Sequence, residues 1–563
     1  MTSTKWFQPI LEGFSRLNPT PAWTHEFKGY NSHKFQQDLL AGITVGVVAL
    51  PLALAFGVTS GAGAAAGLFT AIIAGFVAGV FGGSRFQVSG PTGAMTVVLL
   101  PIIAQYGVEK IAVVGIMAAL ILLALGLLRV GRFVQLIPWS VVTGFTNGIA
   151  VIIFLQQIPA FLGVATPKGA NGILPTTFET VRVYLEQPSF WTIALSLLTT
   201  LIMFFWAKVS KRVPASIVAL LVVTGISLIP SLDVPRIGAI PTQLPLPQLP
   251  SFAWSDLSVL WGPALAIALL SGIESLLSAV VADGMTIQER HDPDRELIGQ
   301  GLANLFSPLF GGIPATGAIA RTAVNIRSGA QTRLSAIIHA IFLLGVALIL
   351  GKYAAVIPRA ALAGILMFTA VRMIELEAVK ALWKSTKSDL STMLITTAVT
   401  LIFDLVLAIE VGLAVAGVLF IQRMAKSLKV EPLEVVGQLE MDHELLRERV
   451  VAYRIDGPLF FAVVSEFLDT LLGISNVDAL ILRMRRVTVI DASGANVLKT
   501  IKDTLERRGV KLLISGLQPQ PTMLLEKMGL LNEITADRHH LFESTNQAIE
   551  HAWSHVVRNR TTA

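Results

Sequence analysis

The chain has 563 residues, of which 53% are hydrophobic and only 14% charged, with a mean hydropathy of +0.68 and a formal net charge of +6. A soluble protein carries about 25% charged residues, so most of this chain must face lipid or its own interior. The absence of cysteine removes disulfides, thiol catalysis and Cys-ligated zinc together, and the scattered placement of the basic residues argues for loop bias rather than a nucleic-acid footprint.

The first segment, Met1–Asn31, is polar and aromatic, unlike the basic start and apolar core of a cleavable signal. A spanning helix needs about 20 mostly apolar residues. On that basis the chain predicts helices near residues 39–58, 62–82, 110–128, 133–156, 190–207 and 214–230. A second set falls near residues 259–282, 296–312, 332–351, 358–374, 389–406 and 408–424. Short apolar segments near 92–104 and 315–326 bring each set to seven. Lys and Arg check the count. With both termini cytoplasmic, inside loops carry 15 basic residues between Arg85 and Lys426. Outside loops keep only Lys110, Lys168, Arg182, Arg236, Lys352 and Arg359, as the positive-inside rule requires. Seven spans per half also reverse the second half, the condition for an inverted repeat. Between the halves, Ser231–Asp256 holds Pro235, Pro241, Pro245, Pro247 and Pro250, a density that resists helix and predicts an extended connector.

Within the first predicted helix, Pro51 interrupts regular hydrogen bonding. Asp38, at its cytoplasmic edge, reads as a helix-start residue rather than a ligand. Gln156 and Gln157 lie in an apolar stretch and receive no role. Asp283 and Asp404, late in apolar runs, could line a water path, although Asp283 could equally reach the inner surface.

Two short stretches repeat one another. Phe81-Gly82-Gly83 precedes Gly90-Pro91-Thr92-Gly93-Ala94, and Phe310-Gly311-Gly312 precedes Pro314-Ala315-Thr316-Gly317-Ala318. Each opens a run too short to cross a bilayer. Paired Gly/Pro-interrupted segments in corresponding halves point to a transport site at mid-membrane. A helix N-terminus carries unpaired N–H groups and roughly half a positive charge. Two that face each other make an anion site without a full charge in lipid. Gly93 and Gly317 permit close backbone approach, Pro91 and Pro314 suit helix starts, and Thr92 and Thr316 can cap or contact a ligand. Matched Gly/Pro pairs also serve to kink packed helices.

Two charges fall inside the apolar runs. Arg321 lies near the start of the second short helix, at a depth that costs about 2.5–3.5 kcal/mol on insertion scales. Glu274 sits between Leu265–Leu270 and Leu276–Val281, far from water, where a carboxyl can load a proton or hold a cation as substrate binds. The two could instead form a structural salt bridge with each other, or Arg321 could snorkel to an interface.

After Lys429 the pattern changes to short alternating strands and helices. Val450–Ile455, Ala479–Met484 and Val510–Ser515 read as strands, and Phe461–Leu472 and residues 494–507 as helices, which together predict a small α/β layer. No P-loop, nucleophile elbow or zinc motif is present, and the histidines read as surface or packing groups. The chain is therefore expected to be no enzyme and to need no cofactor or metal.

With these residues in view, nearly the whole chain resembles the sulfate permease (SulP) family of anion transporters. The likeness rests on Ser84–Thr92, Gly272-Ile273-Glu274-Ser275-Leu276-Leu277, Ala282-Asp283-Gly284-Met285-Thr286, Glu296–Asn304 and Ala315–Ala323. These segments look closest to the bacterial, DauA-like branch of four-carbon dicarboxylate transporters. The resemblance implies a polytopic α-helical membrane protein with 14 transmembrane segments in a 7+7 inverted repeat, split into core and gate domains, and a cytoplasmic α/β STAS domain behind. It implies a cytoplasmic segment 1–37, a transport domain 38–427 with repeats at about 38–230 and 258–425, and a STAS domain at 430–558. It implies a substrate site at Phe56, Thr92, Gly93, Ala94, Thr316, Gly317, Ala318 and Arg321, with Arg321 lending positive potential. Family members that move bicarbonate with sodium tend to carry Asp at the position of Glu274, and a proton-coupled dicarboxylate carrier carries Glu, so the Glu here implies proton coupling. The turn Asp491-Ala492-Ser493-Gly494 resembles the STAS loop in which Ser493 would be phosphorylated, although its chemistry is also that of a plain helix N-cap. The partners expected are a small anion, a co-transported proton (or sodium), the lipid bilayer and a second copy of the chain in a homodimer, with no nucleic acid. The location expected is the inner (plasma) membrane. The expected function is proton-coupled symport of a four-carbon dicarboxylate or sulfate. Sodium-coupled bicarbonate or sulfate uptake, an uncoupled anion channel, and a membrane-anchored regulator with vestigial transport remain as alternatives.

Overall fold

A computed structural model describes residues 18, 20–165, 172–210, 213–229, 232–238, 240–286, 290–403, 405–435, 443–463, 477–535 and 539–562. The chain forms two compact units, 1–414 and 415–563, with their boundary inside one helix.

In the first unit, α1 (Thr20–Glu26) precedes the long apolar helices α2 (Ser32–Ser60) and α3 (Ala64–Phe81). The two-residue strand β1 (Ser89–Gly90) leads into the short helix α4 (Gly93–Tyr106). Then come α5 (Lys110–Leu127), α6 (Trp139–Gln156), α7 (Ile158–Leu162), α8 (Ile173–Glu186), α9 (Phe190–Val209) and α10 (Ala215–Ser227). The second half repeats the order with α11 (Trp254–Met285), α12 (Pro293–Leu309), β2 (Thr316–Gly317), α13 (Ile319–Arg327), α14 (Leu334–Ala354), α15 (Arg359–Met373), α16 (Leu376–Lys384), α17 (Lys387–Ile402) and α18 (Leu405–Ala425). Every expected span has a helix over it. Among the described residues, six spans are long and apolar enough to cross a membrane: α2, α3, α5, α11, α14 and the α6–α7 stretch Trp139–Leu162.

Among the helices of the first unit that lie outside the expected spans, which include α1 and α7, are α8 and α16. Each is too short and too polar for a span. In α8, however, Leu174, Phe178, Val181 and Leu185 recur at helical spacing and are all exposed, the pattern of a helix lying in the membrane interface. The proline-rich connector is extended as expected. It is tied down where Ile237 N–H donates to Ile357 O (3.0 Å) and Gln248 N–H to Leu309 O (2.8 Å).

The packing has the symmetry of an inverted repeat. Helix α2 packs on α14 and its counterpart α11 packs on α5; α4 packs on α2 and α13 on α11; α6 packs on α17 and α15 on α9. The two helices that are each other's counterparts, α3 and α12, pack together. Two groups result. Helices α2–α5 with α11–α14 form the core domain, and α6, α9, α10, α15 and α17 the gate, joined where α2 meets α10 and α15 and where α4 meets α6.

Two charged residues that the sequence placed in a loop and at a helix start are buried. Arg333 is buried and ion-paired to Glu26 of α1 (Nε–Oε2 2.8 Å), and its Nη1 donates to Gly82 O (3.0 Å). Asp38 lies in the second turn of α2 rather than at its start. It is fully buried and accepts from Gln331 N–H (2.7 Å), Thr332 N–H (3.0 Å) and Thr332 Oγ1 (2.6 Å), which ties α2 to the turn before α14.

In the second unit, β3 (Lys429–Leu433), α19 (His443–Arg449), β4 (Val450–Asp456), β5 (Ala479–Arg486), α20 (Ala492–Arg507), β6 (Lys511–Ser515), α21 (Pro519–Lys527), α22 (Leu530–Ile534), β7 (Leu541–Phe542) and α23 (Thr545–Thr562) follow in order. The strands lie in chain order in one five-stranded sheet, antiparallel only between β3 and β4. Successive side chains of a strand face opposite sides. Leu480 and Leu482 accordingly join the core under α20, while Ala479 and Ile481 join the core under α23. Burial on both faces explains the uninterrupted apolar run of β5. Of the helix expected over Phe461–Leu472, only the single 3₁₀ turn Phe461–Val463 is described, and the remainder lies outside the described residues.

Candidate functional site

The two repeated stretches meet. Strands β1 and β2 pair antiparallel, with Ser89 opposite Gly317 and Gly90 opposite Thr316, so the chain enters both short helices from one shared two-stranded sheet.

At the first entrance Thr92 is the N-cap of α4, and its Oγ1 accepts from Met95 N–H at 3.3 Å. The same hydroxyl donates to Glu274 Oε2 at 3.0 Å. The cap of the first short helix is thus hydrogen-bonded to the carboxylate singled out in the sequence. Gly93 is a close-packing position, because a Cβ there would stand 2.1 Å from Ile153 Cδ1 and 3.4 Å from Phe56 Cε1. Phe56 therefore lies against the first turn of α4, and Ala94 is buried beside it.

The second entrance is built differently. Thr316 and Gly317 are strand residues, and α13 begins only at Ile319, with Ala318 in the cap position. Thr316 is not a helix cap and Pro314 is not at a helix start, contrary to expectation, because the pairing with β1 holds residues 316 and 317 extended. Thr316 Oγ1 lies 3.0 Å from Ser275 Oγ, and Gly317 N–H donates to Ser275 Oγ at 2.9 Å. A Cβ on Gly317 would stand 2.3 Å from Gln87 Nε2 and 3.1 Å from Ser275 Cα. Ala318 N–H donates to Val88 O (2.9 Å).

Arg321 does not pair with Glu274. It is buried, its Nη2 donates to Pro91 O at 2.7 Å across the repeat boundary, and its Nη1 has no hydrogen-bond partner. Gly90 leaves room for it, since a Cβ there would stand 2.7 Å from Nη1. The cation therefore adds its charge beside the first entrance without a carboxylate bonded to it.

Helix α12 supplies a polar ladder that the sequence reading quoted but assigned no role. Glu296 accepts four bonds: from Gly83 N–H (2.8 Å) and Ser84 N–H (3.0 Å) on Oε2, and from Gln87 Nε2 (2.6 Å) and Gln300 Nε2 (2.9 Å) on Oε1. Gln300 Nε2 also reaches Ser89 Oγ (2.6 Å), and Asn304 accepts from Ala315 N–H (2.8 Å) while donating to Ala315 O (2.9 Å). The spacing 296, 300, 304 is one face of a helix; a polar face within an apolar segment was the available signal. Ser275, next to Glu274, was likewise overlooked.

The remaining sequence candidates stand apart. Asp283 Oδ2 lies 2.7 Å from His291 Nδ1 and takes no part in these bonds. Asp404 lies outside the described residues. Gln157 Nε2 donates to Thr59 Oγ1 (3.2 Å), and both line a cavity of about 470 Å³ with Gln156, Ala55 and Leu100, which does not include either entrance. His339 is fully buried, neither ring nitrogen is bonded, and it lies beside Gly75 on the same side as the Ser89 carbonyl. In the second unit Asp491, not Ser493, caps α20, accepting from Gly494 N–H (2.8 Å); Ser493 is half-buried in the first turn.

Residues 35–396 match the Sulfate permease family and residues 446–548 the STAS domain. The chain is 40% identical over 528 residues to the putative sulfate transporter YvdB of Bacillus subtilis (strain 168), covering 92% of this chain and 98% of that one. It is 33% identical over 514 residues to the bicarbonate transporter BicA of Synechocystis sp., covering 88% and 90%. The solved transmembrane domain of a cyanobacterial bicarbonate transporter BicA aligns with a TM-score of 0.61 and 39% identity over 69% of this chain and 98% of that one. Murine Slc26a9 in the inward-facing state shares the fold, with a TM-score of 0.85 at 19% identity over 98% and 96%. Sequence and fold converge on one assignment: the chain belongs to the sulfate permease family, as a multi-pass membrane transporter of anions with a C-terminal STAS domain, and not as an enzyme.

Proposed function

We propose that this protein is a proton-coupled secondary transporter that binds a small anion between the entrances of α4 and α13. The observation that carries this reading is a pair of neighbours on α11. Glu274 accepts from Thr92 at the first entrance, and Ser275 bonds to Thr316 and Gly317 at the second. One helix therefore senses both halves of the anion cradle through adjacent residues. An anion that draws on the unpaired N–H groups of Gly93 and Ala94 competes with the Glu274 carboxylate for the same positive end. Protonation of Glu274 removes that repulsion, so anion and proton load together and leave together.

In this reading Phe56, Thr92, Gly93, Ala94, Thr316, Gly317 and Ala318 contact the substrate. Arg321 contributes charge, and Glu274 carries the proton. Residues 38–427 are the transport domain and 430–558 the regulatory or docking STAS domain, with Ser493 as its candidate phosphorylation position. The protein sits in the inner membrane as a homodimer, with both termini cytoplasmic. Sulfate leads as substrate because YvdB, 40% identical, is described as a putative sulfate transporter; four-carbon dicarboxylates remain its competitor from motif resemblance. Bicarbonate, coupled to sodium, is the second reading, favoured by the likeness to BicA.

Uptake of labelled sulfate into proteoliposomes decides among them. Saturable accumulation driven by an acid-outside gradient and competed by unlabelled substrate is the expected result. Accumulation that follows a sodium gradient alone would replace the proton with sodium. Channel-sized current without accumulation would overturn coupled transport, and silence under every gradient would overturn transport itself. A competition panel of succinate, fumarate and bicarbonate ranks the substrates.

A further inference from the structure

The histidines of the second unit are not the scattered surface groups that the sequence implied. Three of them converge. His551 and His555 lie one turn apart on the same face of α23, the i, i+4 spacing that sets two imidazoles side by side. His540 comes from the sheet side, immediately before β7. Its backbone is fixed there, because its N–H donates to Thr535 O (2.9 Å) and its carbonyl accepts from Ile514 N–H (2.9 Å). One ring nitrogen from each residue lies within 4.8 Å of the others. His551 Nε2 and His555 Nε2 are 3.2 Å apart, and the three ring centroids are separated by 4.9–5.7 Å.

We propose that His540, His551 and His555 form a binding site for a divalent first-row transition metal, with zinc as the resident ion. Zinc bound at 2.0–2.1 Å by tetrahedral imidazoles sets its ligand nitrogens about 3.3 Å apart. The helix pair is already at that spacing, and a rotation of the His540 ring brings in the third ligand. Three imidazoles without a carboxylate or carbonyl exclude calcium and magnesium, which take oxygen donors, and favour zinc, nickel or copper. All three residues are half-buried, so solvent supplies the fourth position. Lys511 and Arg558 add positive charge nearby and Asp478 opposes it, which limits the affinity without removing the ligands. The bound ion cross-links the C-terminal helix to the sheet edge at β7, two elements otherwise joined by the short link 543–544 and their apolar contact. The STAS domain then has a metal-dependent brace on α23.

The test uses the full-length chain without a polyhistidine tag, purified in detergent and stripped with a chelator. Zinc titration by calorimetry should give one ion per chain, and cobalt(II) should give the intense visible absorption of a tetrahedral site. The His551→Gln and His555→Asn variants should each weaken zinc binding at least about tenfold, while His33→Gln leaves it unchanged. Zinc should raise the melting temperature of the wild type and not of the variants. Equal zinc binding by wild type and both variants would place the metal elsewhere and overturn the proposal. A stripped wild type that binds no zinc would overturn it too, leaving only an imidazole–imidazole hydrogen bond.

Discussion

Thr92 and Glu274, 182 positions apart in the chain, share a 3.0 Å hydrogen bond at the mouth of the first short helix. The hydroxyl gives its one proton to Glu274, which as a carboxylate can only accept, while one of its lone pairs accepts from Met95 N–H. Anion site and titratable carboxyl are therefore one structural object. Substitutions at either residue should be read in both binding and coupling.

Glu274→Gln keeps the shape and an oxygen to accept from Thr92 but cannot exchange a proton. Accumulation driven by an acid-outside gradient should vanish, while equilibrium anion binding, measured by thermal shift or scintillation proximity, persists. Unchanged proton-driven accumulation would remove Glu274 from the mechanism.

Thr92→Val deletes the donor to the carboxylate and the acceptor for Met95 N–H at similar volume. A hydrogen bond to a charged group is worth about 1.5–3 kcal/mol, so uptake at low substrate should fall about tenfold or more, whereas Thr92→Ser retains most of it. Equal activity of the Val and Ser variants would show that the 3.0 Å contact is not used.

The two glycines should not respond alike. A methyl on Gly93 meets the end of the Ile153 side chain, which can rotate away. A methyl on Gly317 meets Gln87, itself held by Glu296, and the Ser275 backbone. Overpacking of this kind costs about 1–3 kcal/mol where neighbours cannot yield. Gly317→Ala should lose both thermal stability and uptake. Gly93→Ala should keep its stability, lose uptake in part, and recover in the double variant with Ile153→Val.

Much of this arrangement was legible in the chain itself. Span positions followed from apolar runs, because lipid imposes a length that sequence displays directly. The paired breaks at Gly90–Ala94 and Pro314–Ala318 followed from the repeat. The unequal construction of the two entrances did not. Thr316 belongs to a strand because Ser89–Gly90 pairs with it, a partner more than two hundred residues away that no local pattern reveals. Arg321 and Glu274 invited pairing by charge alone, yet Arg321 finds the Pro91 carbonyl. The Glu296–Gln300–Asn304 face passed as motif because its partners are backbone and side-chain groups of turns distant in the chain. The interfacial helix α8 was missed for a simpler reason: a search for 20-residue runs does not detect a 14-residue amphipathic stripe.

Glu296 should behave as the opposite of Glu274. Its carboxylate satisfies two backbone N–H groups and two side-chain amides in a site closed to solvent. Each donor left unpaired costs about 1–3 kcal/mol. Glu296→Ala should therefore lower the melting temperature in detergent and the yield of folded protein, with transport lost as a consequence. Glu296→Gln replaces one carboxylate oxygen with an NH2 that faces two donors and cannot accept from them, and should be nearly as damaging. A stable Glu296→Gln protein with normal uptake would mean that the turn at residues 83–89 does not depend on that charge.

Arg321 separates charge from scaffold. Arg321→Lys keeps the cation and can still donate to Pro91 O, but it loses the second guanidinium nitrogen that reaches past Gly90. Arg321→Met keeps the length and loses both charge and donor. If the cation serves the anion through its field, Lys should hold substrate affinity near the wild type, and Met should weaken it about tenfold or more with thermal stability retained. If it serves mainly to hold the Pro91 turn, both variants should lose stability together and the affinity of the surviving folded protein should not change. Binding titrations beside melting curves, on the same preparations, distinguish the two outcomes. The unpartnered Nη1 favours the first, because a purely structural arginine buried at this depth would be expected to bond through both arms of its fork.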